Sequence, residues 1–383
     1  MKVKRLPFEV SLNRKFILIS SAILLLLATL PLTLNVNPAG GVGVTAYSGR
    51  EYTLADFPRP FIPVNGSNTN AFIIIPSSNP HGPCGAAHTM DTMGGVLVAY
   101  TLGIEGAENG APVNLHTAMD SYSYISVYDY DNAKVTITDT ESNLIVIGGP
   151  GVNQVAYYYN ELKDNNGNPV LPVIYMRDDS GGYLYVQSTG NRYRIETDGN
   201  DRVIADYGVV QIYREGTRYV LLVYGLGGEG TRAAAEVLSN FNSWNLNGIA
   251  AIIKYFDSDG NGFLDTISIV ETVPAPEVTV EVYYDSACTT VVSSIDWGVI
   301  EAGGSANTTV YVKNLGNIPV TLTLSTQNWS PPEAARYIEV GWDYDGRVLA
   351  PNEVLPVTLT LTVSANATNI TDFSFEIVIT SQG

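Results

Sequence analysis

The stretch Val273-Pro-Ala-Pro-Glu277 separates two kinds of sequence. Its prolines lack backbone donors and push their neighbours toward extended backbone, so residues 273–277 read as a linker. Before it, short apolar runs alternate with helical stretches. Ala71–Ile75, Leu144–Ile147, Tyr219–Tyr224, Gly248–Tyr255 and Thr266–Glu271 read as strands. Thr89–Leu102, weakened by Gly94 and Gly95, Val152–Leu162 and Thr231–Leu238 read as helices. Strands apolar on both faces and followed by helices predict an α/β domain over residues 47–272, three layers deep with a mixed sheet. Tyr122–Thr138 and Gly182–Tyr213 are rich in Tyr, Val and Thr, carry turns such as Asp198-Gly199, and read as inserted hairpins.

After the linker only strands are expected. Val278–Val282, Val310–Val312, Val320–Leu324, Val357–Val363 and Phe373–Ile379 alternate apolar with polar residues. Turn residues stand between them at Asn314, Gly316, Asn317, Asp345-Gly346 and Pro351-Asn352. About seven short strands at this spacing predict an all-β, immunoglobulin-like sandwich over residues 278–383.

Residues 1–46 read as an export signal peptide. Lys2, Lys4, Arg5, Arg14 and Lys15 precede a mostly apolar run, Phe16–Leu34, and a Gly/Pro-rich break closes on Val44-Thr45-Ala46. Nineteen residues is also nearly the length of a membrane anchor, but Pro31, Gly40, Gly41 and Gly43 favour cleavage. Either way the remainder is extracellular. Removing this segment leaves 15 Lys and Arg against 37 Asp and Glu, a net charge near −22. Such a surface repels nucleic acid and anionic lipid and attracts divalent cations. Asn-x-Ser/Thr sequons at Asn65, Asn307, Asn328, Asn366 and Asn369 cluster toward the C-terminus and predict N-glycosylation. Two cysteines, Cys84 and Cys288, are too few for a disulfide scaffold and are expected as two small buried thiols, pairing across domains being the alternative.

The sharpest motif is Asp257-Ser-Asp259-Gly-Asn261-Gly-Phe263-Leu-Asp265. It follows the first nine positions of an EF-hand-type calcium loop, with oxygen ligands at 1, 3, 5 and 9, glycine at 6 and the Phe263 carbonyl at 7. Position 12 is Ser268, where a bidentate Glu normally completes the shell. The flanking runs are strands, so the competing reading is a polar hairpin turn. His81, Cys84 and His88 form a second candidate, for zinc or copper, although a fourth ligand would have to come from Asp91 or His116. The competing reading is a strand-to-helix loop in which His88 or Thr89 caps a helix. Gly225-x-Gly227-x-x-Gly230 imitates a dinucleotide fingerprint but has no ribose-binding acid about twenty residues on, and tight packing explains it better. Neither a Gly-x-Ser-x-Gly elbow nor a His-Glu-x-x-His pair occurs in the sequence.

Three blocks of the first domain resemble archaeal surface-layer (S-layer) glycoproteins and related envelope proteins. They are Ala87-His-Thr-Met-Asp-Thr-Met-Gly94, Asn143–Asn153, and Gly230–Leu238 with the nearby Phe256–Gly262. Ser294-Ile-Asp-Trp-Gly298 and Val310–Val320 are similar to the β-sandwich modules of archaeal exported proteins. The resemblance implies a non-enzymatic, self-assembling subunit of the cell envelope, held at the surface by copies of itself and by a membrane-anchored partner. Two rivals are a secreted filament subunit joined by strand addition through Tyr47–Leu54, and an envelope metal-binding protein using His81, Cys84 and His88.

Overall fold

A computed structural model describes residues 51–63, 70–110, 114–368 and 370–383; the expected signal segment and the sequons at Asn65 and Asn369 lie outside them. The described chain divides into two compact units, which part between Ala275 and Pro276.

The first unit contains strands β1 (Asn70–Ile75), β2 (Asn114–Met119), β3 (Ser126–Asp129), β4 (Lys134–Ile137), β5 (Asn143–Ile147), β6 (Val173–Asp178), β7 (Gly181–Val186), β8 (Arg192–Tyr193), β9 (Glu196–Thr197), β10 (Val203–Glu215), β11 (Arg218–Gly225), β12 (Ala250–Phe256) and β13 (Thr266–Val273). Its helices are α1 (Thr89–Glu108), α2 (Gln154–Glu161) and α3 (Gly228–Ser239). One mixed sheet runs β13-β12-β10-β11-β5-β1-β2, with β9 beside β10. Strands β2, β1, β5 and β11 are mutually parallel. On the other side, β10, β12 and β13 join antiparallel.

Both faces of the inner strands β5, β11 and β12 are buried, which is why they read as continuous apolar runs. Ile145 and Ile147 of β5 point to the side covered by α1 and α3, whereas Leu144 and Val146 point to the side covered by α2 and the hairpins. All four are fully buried, and each side chain of this kind contributes about 1.5–3 kcal/mol. Gly94 and Gly95 sit inside α1 because the helix lies close to its neighbours. A Cβ at Gly94 would stand 3.2 Å from Ala235 Cβ, and one at Gly95 3.0 Å from Ile75 Cγ2.

The hairpin β3–β4 and the three-stranded β6-β7-β8 lie outside the main sheet. The expectation that all of Gly182–Tyr213 is inserted hairpin fails for its second half. Val203–Glu215 is a thirteen-residue strand inside the main sheet, between β11 and β12. Its Tyr and Val residues and the preceding Asp198-Gly199 turn gave it the look of an inserted hairpin, yet Ala205 through Ile212 are all buried. Strand β2 also escaped the sequence reading, because its polar residues Asn114, His116 and Thr117 mark the outer edge of the sheet.

In the second unit, β14 (Val280–Tyr283), β15 (Ser305–Asn314), β18 (Val354–Val363) and β17 (Ile338–Trp342) form a sheet in the order β14-β15-β18-β17. A second sheet pairs β16 (Thr321–Ser330) with β19 (Ser374–Gln382). All pairings are antiparallel. Six strands appear among the described residues where about seven were expected. Alternate residues of both sheets, among them Val310, Val312, Leu359, Leu361, Phe375 and Ile377, enter one apolar core. Strands alternate here because only one face of each sheet is covered.

The two thiols are free. Cys84 is buried as expected, but Cys288 is only half-buried, in a turn where its φ is 56°.

Candidate metal loop and the closed edge of the sheet

Strands β1 and β5 are neighbours, yet the helices that follow them, α1 and α2, cover opposite faces. That divergence opens a crevice at the carboxyl ends of the strands, the usual ligand site of an open α/β sheet. Here the chain fills it. Asp120, fully buried just past β2, accepts hydrogen bonds from Ser77 N (2.9 Å), Gln154 N (2.7 Å) and His81 Nε2 (2.6 Å). Gln154 returns its amide to Asp120 O and Ser126 Oγ. The loop carrying His81 and Cys84 is fastened over the glycines after β5 by Gly85 N to Gly151 O (2.8 Å) and Cys84 Sγ to Pro150 O (3.5 Å). Asn153 caps α2 through Val155 N and Ala156 N, so donors at that helix start are spent on the protein itself.

The same device recurs at α3. Asp206, from β10, accepts from Tyr207 N (2.7 Å), Gly227 N (3.2 Å) and Gly230 N (2.7 Å). A helix N-terminus behind a glycine-rich loop is a ready anion site; Asp206 occupies it. Burial pushes the Asp206 carboxyl above the usual range, with the backbone N–H groups pulling the other way. The motif glycines serve close packing. A Cβ on Gly225 would stand 2.3 Å from Thr231 N, and one on Gly230 2.6 Å from Tyr207 O. The third buried carboxylate, Asp91, accepts from His88 N (2.8 Å) in the first turn of α1, and burial raises it too.

This arrangement accounts for each member of the His81, Cys84 and His88 set. Both ring nitrogens of His81 are engaged, by Asp120 and by Asn79 O at 2.8 Å. Burial pushes the Cys84 thiol up to about 12, with the Asp120 charge adding to the effect, and its Sγ donates to Pro150 O. His88 caps α1 by accepting from Met90 N (3.3 Å) and packs against the first turn of α3, where a Cβ on Gly228 would meet its Nδ1 at 2.7 Å. These three residues do not come together as a ligand group. His116 lies on β2, with its ring against Phe72.

Asp257, Asp259 and Asp265 do come together. Among the described residues theirs are the His, Cys, Asp or Glu ligand atoms close enough to share an ion, all within 4.8 Å of one another. The loop joins β12 to β13 as a hairpin. Asp257 organises it by accepting from Gly260 N (2.8 Å) and Asn261 N (3.1 Å) on one oxygen and Gly262 N (2.7 Å) on the other. Asn261 Oδ1 accepts from Phe263 N (2.9 Å), and the Phe263 side chain is exposed. Hydrogen bonds from Thr266 and from Ser258 hold the Asp265 carboxyl below its usual range. Ser268 stands within β13 opposite Lys254, outside the loop. Arg202 lies over the loop with Nη2 3.9 Å from Asp257 Oδ2. The sequence reading missed Arg202; the nearby Asp198-Gly199 turn, which accepts from Arg202 N and Nε, was the available signal. This three-aspartate cluster could hold a metal ion.

Among the sequons, Asn307, Asn328 and Asn366 are all exposed. No helix among the described residues is long and apolar enough to cross a membrane. No family model matches the chain, and no curated protein matches it.

Proposed function

We propose that this protein is a non-enzymatic structural subunit of an archaeal cell envelope, an S-layer or S-layer-like protein that is exported, N-glycosylated and assembled from copies of itself. The observation that carries this reading is the closed edge of the first unit. Where an α/β sheet ordinarily receives a ligand, Asp120 and Asp206 take the backbone donors and the loop carrying His81 and Cys84 lies over the crevice. A sheet so filled serves as a framework. The exposed Asn307, Asn328 and Asn366 in the second unit, read as an immunoglobulin-like sandwich, favour a glycan-bearing spacer or anchor. Calcium is the ion we assign to Asp257, Asp259, Asn261, the Phe263 carbonyl and Asp265, because oxygen ligands at these spacings suit a large hard cation. Bound there, it would stiffen the hairpin and lessen repulsion between acidic copies. Electron microscopy of isolated envelopes, with mass spectrometry of the mature N-terminus, tests the reading. Ordered arrays containing the chain, cleaved near Ala46, are expected; a monomer confined to culture supernatant would sink it.

A further inference from the structure

Helix α1 is buried on one side by the sheet and α3, yet its outer side is apolar as well. Met93 is 47% exposed, Val96 64%, Tyr100 69% and Ile104 39%. At 3.6 residues per turn these four fall within about 80° of the helix circumference, so they form one stripe. Thr89 and Ala107 extend it, and no charged residue falls on it; Asp91 is buried and Glu105 and Glu108 sit to the side. Exposed apolar stripes of this length on a soluble surface mark contacts.

Charge and symmetry together identify the occupant. The mature chain is acidic enough that two copies repel over most of their surfaces, so a stable self-contact needs an uncharged patch on both partners. The stripe is self-complementary about a point near residue 98. In an antiparallel pair related by a two-fold axis there, Val96 faces Tyr100 of the second copy. Met93 faces Gly103 and Ile104, and at Gly103 no atom lies within 4 Å of the Cβ position, which leaves room for a long side chain. A two-fold contact requires this property, that the same patch serve both subunits. We infer that the outer face of α1 is a homotypic docking surface through which two copies of this chain pair antiparallel. The inference rests on the self-assembling reading above and names one of its interfaces.

Sedimentation velocity on the exported full-length chain, in about 150 mM salt, tests it. The wild type should dimerise. Tyr100→Glu and Val96→Lys, each placing an unpaired charge in the contact, should each weaken the dimer about 100-fold with little change in melting temperature. Mixing the two variants should restore association, since one introduced charge then faces the other across the axis. A wild-type monomer, single variants that dimerise normally, or a mixture no better than either variant alone would each overturn the inference. If both variants still form envelope arrays like the wild type, the structural-subunit reading stands and this interface alone is lost.

Discussion

Six aspartates fall into two groups of three, and their contrast explains how the molecule uses its negative charge. Asp91, Asp120 and Asp206 are buried beneath the sheet edge, where each accepts from main-chain N–H groups near the start of a helix. Asp257, Asp259 and Asp265 sit on a hairpin, two of them exposed, with carboxylate oxygens converging. Asp120 and Asp206 of the first group accept from distant segments and hold elements together. The second is bonded within its own loop, Asp257 by Gly260 N, Asn261 N and Gly262 N, Asp259 by Asn261 N and Nδ2, and Asp265 by Ser258 N and Thr266 Oγ1. The same residue type therefore ties elements together where its donors come from distant segments and offers ligands where three carboxylates converge on one loop.

The sharpest way to break the comparison is to remove one carboxylate from each group. Asp120→Ala strands Ser77 N, Gln154 N and His81 in a buried site, and should lower unfolding free energy by about 3–4 kcal/mol in urea titration. Asp259→Ala, on the exposed loop without metal, should cost less than about 0.5 kcal/mol. Equal losses would dissolve the distinction.

Glycines sharpen it next. Gly230→Ala drives a methyl group to 2.6 Å from Tyr207 O and 2.9 Å from Asp206 Oδ1, and should cost about 2–3 kcal/mol by overpacking. Gly260→Ala meets no atom within 4 Å but must hold φ at +75°, which costs about 1 kcal/mol. A larger loss at Gly260 would mean the hairpin, not the sheet edge, is the tighter structure.

Calcium should act on the second group alone. At about ten times its dissociation constant the ion adds about 1.4 kcal/mol, or about 3–6 °C in melting temperature. Chelation should remove that increment, and Asp257→Ala with Asp259→Ala should abolish the response to calcium. Sodium chloride should replace the screening but not the stiffening, and so rescue only in part. An identical melting curve with and without chelator would reduce the loop to a turn.

The smallest effect concerns pH. Burial raises Asp206 in the folded state, so as pH climbs through the ordinary carboxylate range the unfolded chain ionises there before the native one does. The contribution of Asp206 is therefore greatest in acid and declines above about pH 4. The loss caused by Asp206→Asn, measured by urea titration from pH 3.5 to 7, should shrink as pH rises. A loss that grows with pH would show that the three N–H donors outweigh burial.

Much of this architecture is legible in sequence because periodicity reports burial locally. Leu144–Ile147 reads as a strand covered on both sides, and Val357–Val363 as one covered on a single side, whatever surrounds them. The Asp257–Asp265 loop is legible for a similar reason: its ligands lie within nine consecutive residues, so spacing alone brings them together. The sequence also determined the charge balance, the leader-like segment and the proline-rich break after β13, all properties of contiguous residues, although Val273, read as the first linker residue, is the buried last residue of β13. Only the tertiary structure decided that Val203–Glu215 enters the main sheet, that Asp120 reaches Gln154, and that Asp206 fills the fingerprint glycines twenty-odd residues away. It likewise decided that His81, Cys84 and His88, eight residues from end to end, turn to three different partners. Those outcomes depend on donors and surfaces supplied by distant segments, and no local pattern encodes which buried acceptor a backbone N–H will meet.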